Sequence, residues 1–241
     1  MFRRKRDSGR RRAGGERNGR AVGSHVGVEP VDLEAVSSPD QVALDGPYDA
    51  LDAPDDTLPR VDLGALRVPM FDGLQMGFSR DEGSGELMSA VLADGQSALE
   101  ISVFAAPKSA GIWDEVREEI VDSLREGGQP PLLTSGPHGP EVELRLPTGS
   151  PGETVPGRLL GIDGPRWFLR VVVTGEAAVN PAASPLLDAA LGALVVVRGD
   201  VAMPLRDPLP LRLPQELRDA LENPEAATGP PGPGVQITET R

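Results

Sequence analysis

Short segments that alternate apolar and polar residues dominate the chain between residues 65 and 175, and turn sequences separate them. In residues 97–105 (SALEISVFA) three aliphatic side chains fall on one face of a strand, while Glu100 and Ser102 fall on the other. Turns such as Asp94-Gly95 join consecutive strands into hairpins. Comparable patterns predict further strands at residues 65–70, 74–80, 86–93, 142–146, 157–163, 166–175 and 194–199. The segments therefore predict a meander-type antiparallel sheet.

Two helical segments interrupt this pattern. Residues 107–128 carry an apolar stripe at helical spacing, with Ser109 as a candidate N-cap. The stripe comprises Ile112, Trp113, Val116, Ile120 and Leu124. Asn180 and Ser184 each precede a proline, and both are candidate N-caps of a second, shorter helix. The predicted fold class is α+β, with a single antiparallel sheet flanked by two main helices.

Periodicity also sets the domain limits. Residues 1–60 lack it and have few large apolar residues, so we predict a disordered leader that is first basic and then acidic. A single α+β domain is predicted over residues 61–215, with Tyr48 of the leader lying against it. Four prolines between residues 204 and 214 predict an extended segment along the domain. Residues 216–241 are predicted to form a short helix and a disordered tail.

Charge is distributed unevenly along the chain. Residues 1–20 contain nine Arg or Lys and two acids, although the whole chain has a net charge of −13. One interpretation is a solvated leader; the other is an arm that binds nucleic acid or anionic lipid. The candidate phosphate contacts in such an arm are Arg3, Arg4, Lys5, Arg6, Arg10, Arg11 and Arg12. Ten acids between residues 29 and 62 are expected to weaken it.

No apolar run approaches the roughly 18 residues that a membrane span needs, and the basic leader lacks the apolar segment of a secretory signal. We therefore expect a cytoplasmic protein without a transmembrane segment.

The residues that usually carry chemistry are scarce. The chain has no cysteine, and its two histidines, His25 and His138, are far apart in sequence. Thiolate chemistry is excluded, and a zinc site would need mostly carboxylate ligands. His138 lies in a Gly- and Pro-rich turn and is expected to be an exposed or capping side chain. We predict no metal, no cofactor and no catalytic constellation, hence no enzyme.

The stretch GIDGPRWFLR (residues 161–170) holds one of two tryptophans in the chain. Asp163, Gly164 and Pro165 predict a turn that leads into a strand. Alternation along this strand places Trp167 in the helix-covered core.

The same alternation places Arg166 and Arg170 together on the opposite face. They are expected to pair with strand acids such as Glu141 or Glu143. The alternative is that the two arginines form an anion-binding pair on an open sheet face.

Six stretches, taken in order, resemble an uncharacterised actinobacterial family, domain-of-unknown-function family 3710, over residues 46–214. They are GPYDALDAPDD, RVDLGALRVP, FAAPKSAGIWDEVREEI, GIDGPRWFLRVVVTG, VVVRGD and PLRDPLPLRLP. The resemblance implies no established activity, catalytic residue or cofactor. The order of elements also resembles that of Mog1/PsbP-like domains, which are antiparallel sheets flanked by helices. Known members of that fold act as binding or assembly factors.

We therefore expect a non-enzymatic binding or adaptor domain with a protein partner. One alternative is association with nucleic acid or anionic membrane through residues 1–20. The other is an enzyme that uses Arg166 and Arg170 on an anionic substrate.

Overall fold

The computed structural model describes residues 45–148, 150, 152–215, 217 and 218. They form an α+β domain with two β-sheets, whereas the sequence predicted a single sheet. Most of the predicted leader and most of the predicted tail lie outside the described residues.

The strands and helices of the described residues are short, and most follow one another closely in the chain. The strands are β1 (Tyr48–Asp49), β2 (Arg60–Asp62), β3 (Leu66–Pro69), β4 (Gln75–Arg80), β5 (Leu87–Ala93), β6 (Ser97–Ala105), β7 (Leu132–Gly136), β8 (Gly139–Pro147), β9 (Thr154–Gly164), β10 (Trp167–Gly175) and β11 (Val195–Val196). The helices are α1 (Trp113–Glu126), α2 (Glu176–Val179) and α3 (Pro185–Gly192). A short 3-10 turn, Pro181–Ala183, joins α2 to α3.

The large sheet has seven strands in the order β4-β5-β6-β10-β9-β8-β7, and all neighbouring strands are antiparallel. Two meanders therefore meet where β6 pairs with β10 along its whole length. The small sheet has the order β1-β11-β3-β2, and β1 runs parallel to β11. The meander was predicted correctly, but the small sheet was not predicted.

Both faces of β10 are buried, because apolar residues occur at the alternate positions that point to each face of the sheet. Trp167 and Leu169 join the main core, which the small sheet and α3 cover. Phe168 faces a second core that is covered by α1. The Trp167 ring is anchored where its Nε1 donates a hydrogen bond of 2.9 Å to Asp49 Oδ2. Trp167 is thus buried, as predicted, but on the face opposite the long helix.

The N-terminus of α1 is capped by a residue far away in sequence. Asp163 Oδ1 accepts a hydrogen bond of 2.7 Å from the Ile112 N–H, and Oδ2 accepts one of 3.2 Å from the Trp113 N–H. A carboxylate here accepts hydrogen bonds from free N–H groups of the first turn, and its negative charge interacts favourably with the positive end of the helix dipole. The predicted cap Ser109 lies outside the helix, which starts only at Trp113.

An extended C-terminal strap, residues 204–213, joins the two sheets. The Leu209 N–H donates a hydrogen bond of 2.9 Å to Val103 O in β6, beyond the point where β5 stops pairing. The Arg212 N–H donates one of 2.8 Å to Leu63 O, beside β2. The predicted extended segment is confirmed, and it has a structural role in both sheets.

The domain starts earlier than the predicted residue 61. The Tyr48 N–H donates a hydrogen bond of 2.9 Å to Leu194 O, which places β1 in the small sheet. The expected contact of Tyr48 with the domain is therefore confirmed.

Gly161 allows α1 to approach the large sheet closely. Trp113 of α1 stacks on Phe168 with 6.0 Å between ring centroids, and its ring lies over Gly161. A Cβ at residue 161 would overlap the Trp113 ring. The glycine is therefore required for space and not for an unusual backbone angle.

Gly161→Ala is expected to lower the free energy of unfolding by about 2–3 kcal/mol, because the buried Trp113 ring has little room to shift. Urea denaturation measures the change. Gly127→Ala at the end of α1 is the control, because its added methyl meets the nearest atoms at an ordinary 3.4 Å. Equal losses in the two variants would contradict the proposed packing.

Candidate functional site

The structure does not bring Arg166 and Arg170 onto one face. Arg166 precedes β10, with a backbone φ of 65°, and its Nη2 donates a hydrogen bond of 2.6 Å to Gly199 O. Arg170 lies within β10, with its guanidinium carbon 5.3 Å from the centre of the Phe104 ring. Burial lowers the pKa of Arg170, and Glu100 on neighbouring β6 opposes that shift. The expected two-arginine surface is thus not formed.

The predicted phosphate contacts of the leader lie outside the described residues. They are Arg3, Arg4, Lys5, Arg6, Arg10, Arg11 and Arg12. Their role stays a prediction.

Glu141 pairs with a different arginine from those predicted. Its Oε2 lies 2.7 Å from Arg158 Nη1, and the exposed fractions of the two side chains are only 2% and 7%. Arg158 Nη2 also donates a hydrogen bond of 3.1 Å to Ala177 O, which fixes α2 to the sheet. The sequence had paired Glu141 with Arg166 or Arg170 instead. The end of the sheet where Glu141 lies is covered by α2 and α3.

The hairpin between β7 and β8 leaves space for this ion pair. A Cβ at Gly136 would overlap the Glu141 carboxylate, so only glycine leaves room for it. His138, in the two-residue turn of the hairpin, is half-buried beside the pair, whereas the sequence predicted an exposed or capping residue. Asp188 of α3 lies at the exposed rim of the same cluster.

These four ionisable residues surround a cavity of about 20 Å³. Such a volume holds about one water molecule. Glu141 Oε1 is buried and has no hydrogen-bond partner among the described residues. The cluster is therefore a means of holding the β7–β8 hairpin, α2 and α3 together, and it is too small for a substrate.

The charges around His138 act in opposite directions. Loss of hydration lowers the pKa of His138, and Arg158 acts in the same direction. Glu141 and Asp188 oppose the shift. The net result is a folded-state pKa below the ordinary value, so the folded domain favours neutral imidazole.

A third feature is the outer edge of the large sheet at β7. Leu132 and Leu133 are 56% and 53% exposed, and within the described residues β7 pairs with β8 alone. Residues 144–147 of β8 extend past the start of β7, and their described pairing is with β9. Beside them an open groove of about 480 Å³ is lined by residues that include Leu124, Pro130, Leu144, Pro156 and Val179.

Metal ligands are not grouped in the part of the chain that the structure describes, where no three His, Asp or Glu side chains are placed to hold an ion. In the same residues, no helix combines the length and the apolar character that a membrane crossing requires.

The pKa of His138 predicts how stability depends on pH. The unfolded chain, with an ordinary histidine pKa of about 6.5, binds the proton more tightly than the folded chain. The free energy of unfolding therefore falls as the pH drops from above this value towards the lower folded-state pKa. His138→Gln is expected to remove this part of the pH dependence, as measured by urea denaturation between about pH 7.5 and pH 5.5.

His25→Gln, at the other histidine in the chain, is the control. A His138→Gln variant that loses as much stability on acidification as the wild type would contradict the assigned environment of His138.

Comparison with known proteins agrees with the resemblance seen in the sequence. A search of curated proteins finds no match. Among solved structures, the chain is similar to the solution structure of cyanobacterial PsbP (CyanoP) from Synechocystis sp. PCC 6803, with 12% sequence identity and a TM-score of 0.33. The alignment covers 58% of this chain and 92% of that one, and at this TM-score the likeness supports no functional conclusion. A family model described as "Protein of unknown function (DUF3710)" matches residues 46–220, which include nearly all of the described domain, and the chain therefore belongs to this family.

Proposed function

We propose that this domain is a non-enzymatic binding or adaptor module, and that it binds an extended segment of a partner protein along β7. The observation that carries the proposal is the β7 edge of the large sheet, which no described strand covers and where two leucines are more than half exposed.

The backbone of β7 supports binding by strand addition. An edge strand presents unpaired N–H and C=O groups on its outer side, and an extended peptide can pair with them. Edges that must stay free of partners are usually protected by charged residues or proline. The sequence of β7, LLTSG, contains neither.

The side chains around β7 support an apolar contact. Leu132 and Leu133 are adjacent in a strand, so they point to opposite faces of the sheet. An added strand would therefore meet a leucine on each face. Val179 of α2, which is 72% exposed, lines the adjoining groove. The expected partner segment is extended and carries apolar side chains that reach the groove.

The titratable groups favour binding over catalysis. The Glu141–Arg158 cluster is closed around a space for about one water, so a substrate does not reach it. Arg170 is held against Phe104, and Arg166 donates to the backbone. We therefore infer that the domain recognises a partner without transforming it.

The proposal predicts that Leu133→Lys weakens peptide binding at least about tenfold. Peptides would be selected from a displayed library on the full-length chain, and their affinities measured with each variant. Leu205→Lys is the control, because Leu205 is a comparably exposed leucine (60%) in the strap, which is remote from β7 in sequence.

Hydrogen exchange gives the second measurement, since strand addition is expected to protect amides of β7 when peptide is bound. If the selected peptides bind the Leu133→Lys and wild-type chains equally, or if β7 is not protected, peptide binding at this edge is excluded.

A second candidate function rests on the leader. Nine Arg or Lys in residues 1–20 form a dense cationic segment, which favours binding to the phosphates of nucleic acid or anionic lipid. In this alternative the folded domain is carried to a charged surface by its leader.

The leader proposal predicts DNA or RNA affinity that falls steeply between about 50 and 200 mM salt, because bound phosphates release counterions. Glutamine at Arg3, Arg4, Lys5, Arg6, Arg10, Arg11 and Arg12 should abolish this affinity in a titration of labelled nucleic acid. Vesicles containing anionic lipid form a parallel titration. An affinity that changes neither with the salt concentration nor with the substitutions would rule out the leader as the binding element.

A further inference from the structure

Three arginines from separate parts of the chain line one open cleft of about 320 Å³. Arg80 ends β4, Arg212 belongs to the C-terminal strap, and Arg218 follows the strap. This grouping could not be predicted from the sequence, because Arg80 and Arg212 are 132 positions apart. The strap brings them together where it crosses the β4–β5 hairpin.

Among the described residues, none of these three arginines forms an ion pair with a carboxylate. Six of the other described arginines do form one, and they are Arg60, Arg67, Arg117, Arg125, Arg158 and Arg206. Arg145, Arg166, Arg170 and Arg198 resemble the cleft arginines in this respect. In the cleft, Arg80 Nη1 donates a hydrogen bond of 3.2 Å to Gly85 O, and Arg218 Nη2 donates one of 2.9 Å to Gln215 Oε1. Both acceptors are neutral. Glu86 is the single acid among the described residues that line the cleft, so these residues carry three cationic side chains against one anionic side chain.

The cleft has an apolar floor. It consists of Leu87, which is half-buried, and of Leu211 and Leu213, which are 7% and 6% exposed. The backbone of Leu211 forms bridges with both Leu87 and Gly64, so the floor is tied to β5 and to the small sheet. Guanidinium groups above a fixed apolar surface suit a ligand that has an anionic end and an apolar body.

The volume of the cleft and the chemistry of its lining residues indicate which class of ligand it can bind. A volume of about 320 Å³ lies at the lower end of the range for small-molecule sites. Guanidinium groups match the geometry of phosphate oxygens and bind them through charge-assisted hydrogen bonds. We propose that this cleft binds a small organic phosphomonoester whose apolar part rests on the three leucines.

This site is independent of the proposed peptide edge. The cleft lies beside β4 and β5, whereas β7 lies at the opposite edge of the large sheet. Loss of one activity is therefore expected to leave the other unchanged.

The test uses the full-length chain with isotope-labelled leucine methyl groups and phenyl phosphate as the probe. Saturable NMR shifts are expected for the methyls of Leu87, Leu211 and Leu213. The double variant Arg80→Gln, Arg212→Gln should bind at least about tenfold more weakly. Arg125→Gln is the control, because it removes one arginine charge at an exposed site on α1.

Two further probes separate the parts of the ligand. Inorganic phosphate lacks the apolar body and should bind more weakly than phenyl phosphate, while phenol lacks the anion and should not shift these methyls.

A short-chain phosphatidic acid carries the same phosphate as a lipid headgroup, and tighter binding than phenyl phosphate would assign the natural ligand to a lipid.

No shift of the three leucines, or equal shifts in the wild-type and double-variant chains, overturns the proposal. Folding of the double variant is checked by its remaining methyl spectrum. Shifts that appear only in residues remote from the cleft also overturn it, because they would place the bound phosphate elsewhere on the chain.

Discussion

Burial of both faces of β10 is the constraint on which the rest of the structure depends. Trp167 and its alternate neighbours require the small sheet and α3 above one face, while Phe168 requires α1 above the other. The β9–β10 hairpin also positions these layers through polar contacts. Asp163 at its end caps α1, and Asp49 of β1 accepts the Trp167 N–H. One hairpin thus orients a helix on one face and a second sheet on the other.

The alternation of apolar and polar residues predicted those strands that have one apolar face and one more polar face. Residues 97–105 were predicted with the bounds that the structure gives to β6, because apolar and polar side chains alternate clearly. The small sheet could not be predicted in this way. Its strands β3 and β11 lie within the strands predicted at residues 65–70 and 194–199, but alternation does not show which strands pair, and β1 has only two residues. Their pairing depends on contacts distant in sequence, which a single sequence does not reveal.

The candidate sites were harder to predict, because alternation identifies a face but not what covers it. Glu141 was expected to pair with Arg166 or Arg170, but α2 and α3 cover its end of the sheet, and its partner there is Arg158. The sequence held a partial indication of this buried ion pair, since Arg158 lies beside an apolar run. In the structure, Gly136 leaves space near Glu141. For Arg166, the turn extends one residue further along the chain than predicted, so this residue lies outside β10.

The same constraint determines where this domain can contact other molecules. Because both faces of β10, at the centre of the large sheet, are buried in the two cores, the edge strands are the parts of the sheet that can remain open. At the β4–β5 edge, the strap covers part of the sheet and adds arginines that lack acidic partners in the described residues. At β7 none of the described residues forms such a strap, and a strand without charged side chains is exposed. The two edges therefore differ in chemistry because of where the C-terminal strap runs: one is lined by arginines and leucines, and the other has no further strand paired to it among the described residues.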